Sequence, residues 1–135
     1  MKKEIIDKII QIAKKYEFIK ALYLFGSQAQ DKADAKSDID IAVLLENNYT
    51  EKFGEIKVNL YEDFIKEGLD NIDLVILNQA SALLKYEVVK ENTLIYKKEN
   101  FDGASYQSLV IRKYLDFEYY LKKNQRKFKE RILNG

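Results

Sequence analysis

Residues 18–45 read FIKALYLFGSQAQDKADAKSDIDIAVLL, two apolar runs joined by a short polar connection. The first run, Phe18 to Phe25, is aromatic and aliphatic and stops at Gly26, as a buried strand would. Ser27 then stands where a side-chain oxygen can cap a short helix running to about Ala33, and a polar stretch from Asp34 to Ser37 leads on. The second run, Asp38 to Leu45, alternates polar and apolar at first and then turns uniformly apolar. A strand covered on both faces reads that way, so it is expected at the centre of a sheet.

Working outward, Ile5, Ile6, Ile9, Ile10, Ile12 and Ala13 recur at helical spacing, which predicts an amphipathic helix over residues 3–17. After a turn at Asn47–Asn48, a helix is expected from Thr50 to Glu67, ended by Gly68, with Phe53, Ile56, Val58, Leu60, Phe64 and Ile65 on or near its inner face. Asn71 to Leu77 reads as a third strand, Asn78 to Glu91 as a helix and Leu94 to Lys97 as a short fourth strand or extended segment. One long helix follows from about Asp102 to Leu133. The expectation is a single α/β domain, with residues 1–100 as its core and 101–135 as a C-terminal helical extension of the same domain.

Composition narrows the chemistry. Of 135 residues, 47% are hydrophobic and 33% charged, a globular mixture, and His, Cys, Trp and Pro are absent. Without Cys there is neither a disulfide framework nor a thiolate metal site, and without His there is no imidazole base. Zinc fingers, Ser-His-Asp hydrolases, papain-like proteases and His-based metallohydrolases are thereby excluded. Acid–base or metal chemistry has to rest on carboxylates, Lys or Tyr. Met1 to Ile12 holds no uninterrupted apolar run, so neither a signal peptide nor a membrane partner is expected, and the expected compartment is the cytoplasm. The net charge of +1 hides an asymmetry, −4 over residues 1–111 and +5 over residues 112–135. A solvated helix face is the commoner reason for such a basic end, and direct nucleic-acid binding is not expected. Packing on the domain is expected for Tyr114, Phe117 and Tyr119, and a partner surface for Tyr120 and Phe128.

Three acids sit where strands should be apolar. A strand has a side-chain period of two, so Asp38 and Asp40 share one face while Ile39 and Ile41 take the other. Adjacent carboxylates repel and are costly to desolvate unless something positive joins them. Mg²⁺ answers that need, because it takes a few carboxylate oxygens and completes its octahedron with water and phosphate oxygens. A lone D-x-D is more often a strand-entry turn residue followed by an exposed one. Here, however, Gly26–Ser27 ends a strand and opens a helix, an arrangement that offers N–H groups and a hydroxyl to a phosphate. Ten residues later come Asp38 and Asp40, and Asp73 adds a carboxylate within the third strand.

The segments F25-G-S-Q-A, S37-D-I-D-I-A-V-L and I72-D-L-V-I-L resemble the minimal nucleotidyltransferases of the DNA polymerase β superfamily. Taken over most of the chain, including N78-Q-A-S-A-L-L-K-Y-E-V and Y114-L-D-F-E-Y-Y, the likeness is closest to MntA-type antitoxins that accompany HEPN-domain toxins. Relatives often carry Arg where Gln28 stands, Gly where Asp31 stands and Pro where Ala82 stands. The resemblance implies a polymerase β-like nucleotidyltransferase fold, a small mixed sheet packed by helices. It implies transfer of AMP from ATP to a tyrosine hydroxyl of a HEPN RNase toxin encoded by an adjacent gene, with release of pyrophosphate. Asp38, Asp40 and Asp73 would hold one or two Mg²⁺ ions, with Asp73 completing the second site or acting as general base. Gly26 and Ser27 would hold the leaving phosphates. Two alternatives stay open: an antitoxin that acts by steric binding alone, and a stand-alone transferase for a small hydroxylated molecule.

Overall fold

The computed structural model describes residues 3–26 and 38–134. The short helix expected from Ser27 to about Ala33 lies outside the described residues. The elements in chain order are α1 (Lys3–Lys14), β1 (Ile19–Phe25), β2 (Ile39–Leu45), α2 (Phe53–Lys66), β3 (Ile72–Ile76), α3 (Ala82–Lys90), β4 (Leu94–Lys97) and α4 (Gly103–Asn134). The four strands form one mixed sheet in the order β3-β2-β1-β4. β1 pairs antiparallel with β2 and with β4, while β2 and β3 run parallel with α2 as their crossover.

β2 is central, and both of its faces are covered, which is why its alternation disappears after Asp40. Ile39, Ile41, Val43 and Leu45 face α1 and α2, joining Ile9, Ile12, Phe53, Ile56, Leu60 and Phe64 in one core. Ala42 and Leu44 face the other way, with Ala21 and Tyr23 of β1, against Val88, Val89 and Val110 of α3 and α4. Among the described residues, no helix is long and apolar enough to cross a membrane.

Four expectations are corrected. Residues Asn47–Lys52 form a 3₁₀ turn with a kink at Tyr49, so α2 begins at Phe53 rather than Thr50. Val58 and Ile65 lie on the outer face of α2, both more than half exposed, because only Phe53, Ile56, Leu60 and Phe64 fall on the stripe facing the sheet. α3 begins at Ala82, not Asn78, since Ser81 caps it by accepting from the Leu84 N–H at 3.2 Å. Asn78 is occupied elsewhere: its side chain accepts from the Leu45 N–H (2.9 Å) and donates to the Leu45 carbonyl (2.7 Å), closing the end of β2. In α4, Tyr114 packs as expected, stacked on Tyr86 at 4.3 Å between ring centroids. Phe117 and Tyr119 do not, at 46% and 70% exposed, because α3 is too short to cover that part of α4.

Candidate active site

The C-terminal end of β1 and the N-terminal ends of β2 and β3 come together at one end of the sheet. Strand periodicity puts Asp38, Asp40 and Asp73 on the face that carries Ala42 and Leu44, the face packed by α3 and α4. The register then does what spacing along the chain cannot. Asp40 is paired directly with Asp73 across the parallel β2–β3 ladder, and with Phe25 across the antiparallel β1–β2 ladder. The three acids and the turn at Gly26 are therefore neighbours, although Asp73 is 33 residues from Asp40.

Gly26 has a left-handed backbone, φ +75°, which glycine adopts without steric cost. A Cβ built there would run into Oδ2 of Asp40. The residue opposite the Asp40 carboxylate must lack a side chain, so the glycine makes room for the carboxylate as well as allowing the turn. Ser27, expected to join it in gripping phosphates, lies outside the described residues.

The acids differ in environment. Asp38 and Asp73 are exposed, and Asp40 between them is partly buried. Burial first, then the charges of Asp73 and Asp38 and a hydrogen bond with Asp73, push the Asp40 carboxyl above its ordinary value. A carboxylate pair in this state is relieved by a proton or by a cation. Among the described residues no group of three such side chains converges into a ready-made metal cage. The donor set is all oxygen and open on the side of Asp38 and Asp73, which are exposed. That fits a hard divalent ion whose remaining ligands come from water and a phosphate.

The surrounding strands are fixed by side chains that the sequence did not single out. Thr93 donates its hydroxyl to the Leu24 carbonyl and accepts, through its own carbonyl, from the Leu24 N–H at 2.9 Å, holding the end of β1 just before Gly26. The Tyr61 hydroxyl accepts from the Leu74 N–H at 2.8 Å, fixing the outer edge of β3 one residue after Asp73. The Ile39 N–H, between Asp38 and Asp40, donates to the Asn71 carbonyl at 2.8 Å. A tyrosine in a helix and a threonine before a strand carry no distinctive pattern, so nothing in the sequence marked them.

The chain is similar to several known proteins. A curated protein adenylyltransferase MntA from Aphanizomenon flos-aquae is 28% identical over 123 residues, covering 80% of this chain and 77% of that protein. A chain of a toxin–antitoxin crystal structure with AMP-PNP has the same fold, with a TM-score of 0.71, 24% identity and coverage of 90% of this chain and 96% of the other. So does a chain from the complex of a tri-AMPylated Shewanella oneidensis HEPN toxin with its MNT antitoxin, with a TM-score of 0.58, 22% identity and coverage of 98% and 99%. The model of the polymerase beta nucleotidyltransferase family matches residues 7–101, which include the whole sheet, Gly26 and all three acids. With that match over most of the chain, and with this sheet order and acid placement, the protein belongs to the polymerase beta nucleotidyltransferase family.

Proposed function

We propose that this chain is an antitoxin adenylyltransferase, which moves AMP from ATP to a tyrosine hydroxyl of a HEPN toxin encoded beside it and thereby silences the toxin's RNase activity. The pairing of Asp40 with Asp73 across parallel strands, opposite a glycine that leaves space for it, is the observation that carries the chemistry. The related MntA adenylyltransferase, the AMP-PNP complex and the tri-AMPylated HEPN toxin support AMP as the transferred group and a HEPN protein as the acceptor.

In the proposed reaction the hydroxyl oxygen attacks the α-phosphorus, the bond from that phosphorus to the β-bridging oxygen breaks, and pyrophosphate leaves. Asp38, Asp40 and Asp73 would hold one or two Mg²⁺ ions, which when bound supply the positive charge that steadies the phosphates and lower the pKa of the attacking hydroxyl. Asp40, the partly buried member, is the fixed anchor of the set. Asp73, exposed beside it, would complete the second metal site or accept the hydroxyl proton in a chain with no His. Gly26 keeps the backbone turn open to the leaving phosphates, and Ser27 would add its hydroxyl there.

The test uses the purified chain, the HEPN protein from the neighbouring gene, Mg²⁺ and each of the four nucleoside triphosphates, with intact mass and tandem mass spectrometry of both proteins. Added AMP mapped to a tyrosine of the partner, with ATP preferred and nothing gained in the Asp38→Ala/Asp40→Ala variant, is the expected result. An unmodified partner whose RNase is nevertheless silenced would replace this reading with steric inhibition. Label passing only to a small hydroxylated compound would replace it with a stand-alone transferase.

A further inference from the structure

Among the described residues, nothing packs on the outer half of α4. Val110 is buried against α3 and Tyr114 stacks on Tyr86, but from Tyr119 to Leu133 every residue is exposed. At 1.5 Å per residue this exposed part is about 20 Å long. Few internal pairs support it; among the described residues Glu118 and Lys122 form one, at 3.2 Å. A helix of that length is marginal in water on propensity alone.

Its apolar residues are ordered. Val110, Tyr114, Phe117, Leu121, Phe128 and Ile132 fall on one narrow stripe at spacings of three, four and seven, continuing the line that packs α4 onto α3. Asn124 and Gln125 sit in the middle of the exposed part of that stripe. Lys127 and Arg131 flank it on one side, Lys122 and Lys129 on the other, within a segment of net charge +5.

We propose that this stripe is a docking face for a helical surface of the acceptor protein, a surface whose apolar seam is rimmed by Asp and Glu. The proposal rests on the reading that the acceptor is a protein, and it assigns where that protein is held. Charge decides among occupants. Two copies of this helix would set +5 against +5, which disfavours self-pairing. Asn124 and Gln125 in the seam suit a coiled-coil-like contact, where a polar seam residue sets register, and are unfavourable in the apolar layer of a membrane. Nucleic acid would use the cations and leave the aromatic seam unfilled.

The experiment measures affinity for the neighbouring HEPN protein directly, by calorimetry at low and high salt, and AMP transfer separately. It compares the wild-type chain with Leu121→Glu/Phe128→Glu and with Lys122→Glu/Lys129→Glu, with circular dichroism showing that α4 stays helical. The seam variant is expected to weaken binding by about tenfold or more, and to raise KM for the protein acceptor while leaving kcat unchanged. The charge variant is expected to weaken binding less and to flatten its salt dependence. Seam-dependent binding without AMP transfer would sustain this surface and defeat the catalytic reading. AMP transfer with both variants binding like wild type would defeat this surface and leave catalysis standing. A wild-type dimer that the seam variant splits, or binding to phosphatidylserine vesicles in place of the protein, would overturn the proposal in favour of that occupant.

Discussion

At the scale of single residues, the site is a place where local stability is given up. Asp40 is partly buried, faces Asp73 and feels Asp38. Without a cation, the wild-type protein carries that repulsion in its folded state only. Asp40→Asn removes one charge at nearly the same shape, so its Tm in EDTA is expected to equal or exceed wild type. Adding Mg²⁺ with a non-hydrolysable ATP analogue should raise the wild-type Tm and leave the variant's unchanged, because ligands that bind only the folded state stabilise it. A variant that melts well below wild type in EDTA would contradict this. Gly26→Ala is the complementary case: the positive φ and the collision with Asp40 Oδ2 together predict a loss of about 1–2 kcal/mol in urea unfolding. AMP transfer should fall by at least about tenfold, because the carboxylate must move out of the methyl's way.

At the scale of elements, the register of β2 against β3 matters more than the identity of either strand. It depends on the outer edge of β3 being held, and Tyr61 does that through its hydroxyl on the Leu74 N–H. Tyr61→Phe leaves that N–H without its partner and is expected to cost about 1–2 kcal/mol by urea unfolding. A change within experimental scatter would mean that water replaces the hydroxyl without loss.

The same scale shows what the sequence could and could not reveal. The run D38-I-D-I-A-V-L-L announced a central strand because both of its faces are covered. The two acids of that run stand out as candidates for chemistry because they break it. The Asp40–Asp73 pairing was not legible, since register between distant strands is set by how α2 packs and leaves no mark in local spacing. Helix starts differ from the periodicity where residues have other work: Asn78 closes β2 and so cannot begin α3, and the kink at Tyr49 delays α2. Phe117 and Tyr119 look like core residues by type, and only the length of α3 shows that nothing covers them.

For the molecule as a whole, tyrosines that are buried or partly buried set the alkaline limit. Burial pushes Tyr16 up to about 12, helped by its hydrogen bond to Asp63, and burial alone does the same to Tyr23. Tyr106, beside Tyr23, is raised further by burial and by that neighbour. A folded pKa above the unfolded value of 10.0 means that the folded state keeps protons the unfolded chain has lost. Their contribution is fully present below pH 10 and is lost as pH rises towards 12. Urea unfolding at stepped pH should show a plateau and then a steep fall across that window. Tyr23 adds a second prediction. It is 1% exposed, and among the described residues its hydroxyl has no hydrogen-bond partner. Tyr23→Phe should therefore stabilise the protein, by about 1 kcal/mol, and make the alkaline fall shallower.

The most direct test of the proposed catalytic centre is the single-turnover rate of AMP transfer to the proposed HEPN acceptor, for wild type and Asp40→Asn, at saturating ATP and Mg²⁺. A fall of about a thousandfold or more, in a variant whose Tm in EDTA is no lower than wild type, is predicted. A rate within about tenfold of wild type would show that the paired carboxylates of β2 and β3 do not carry the reaction.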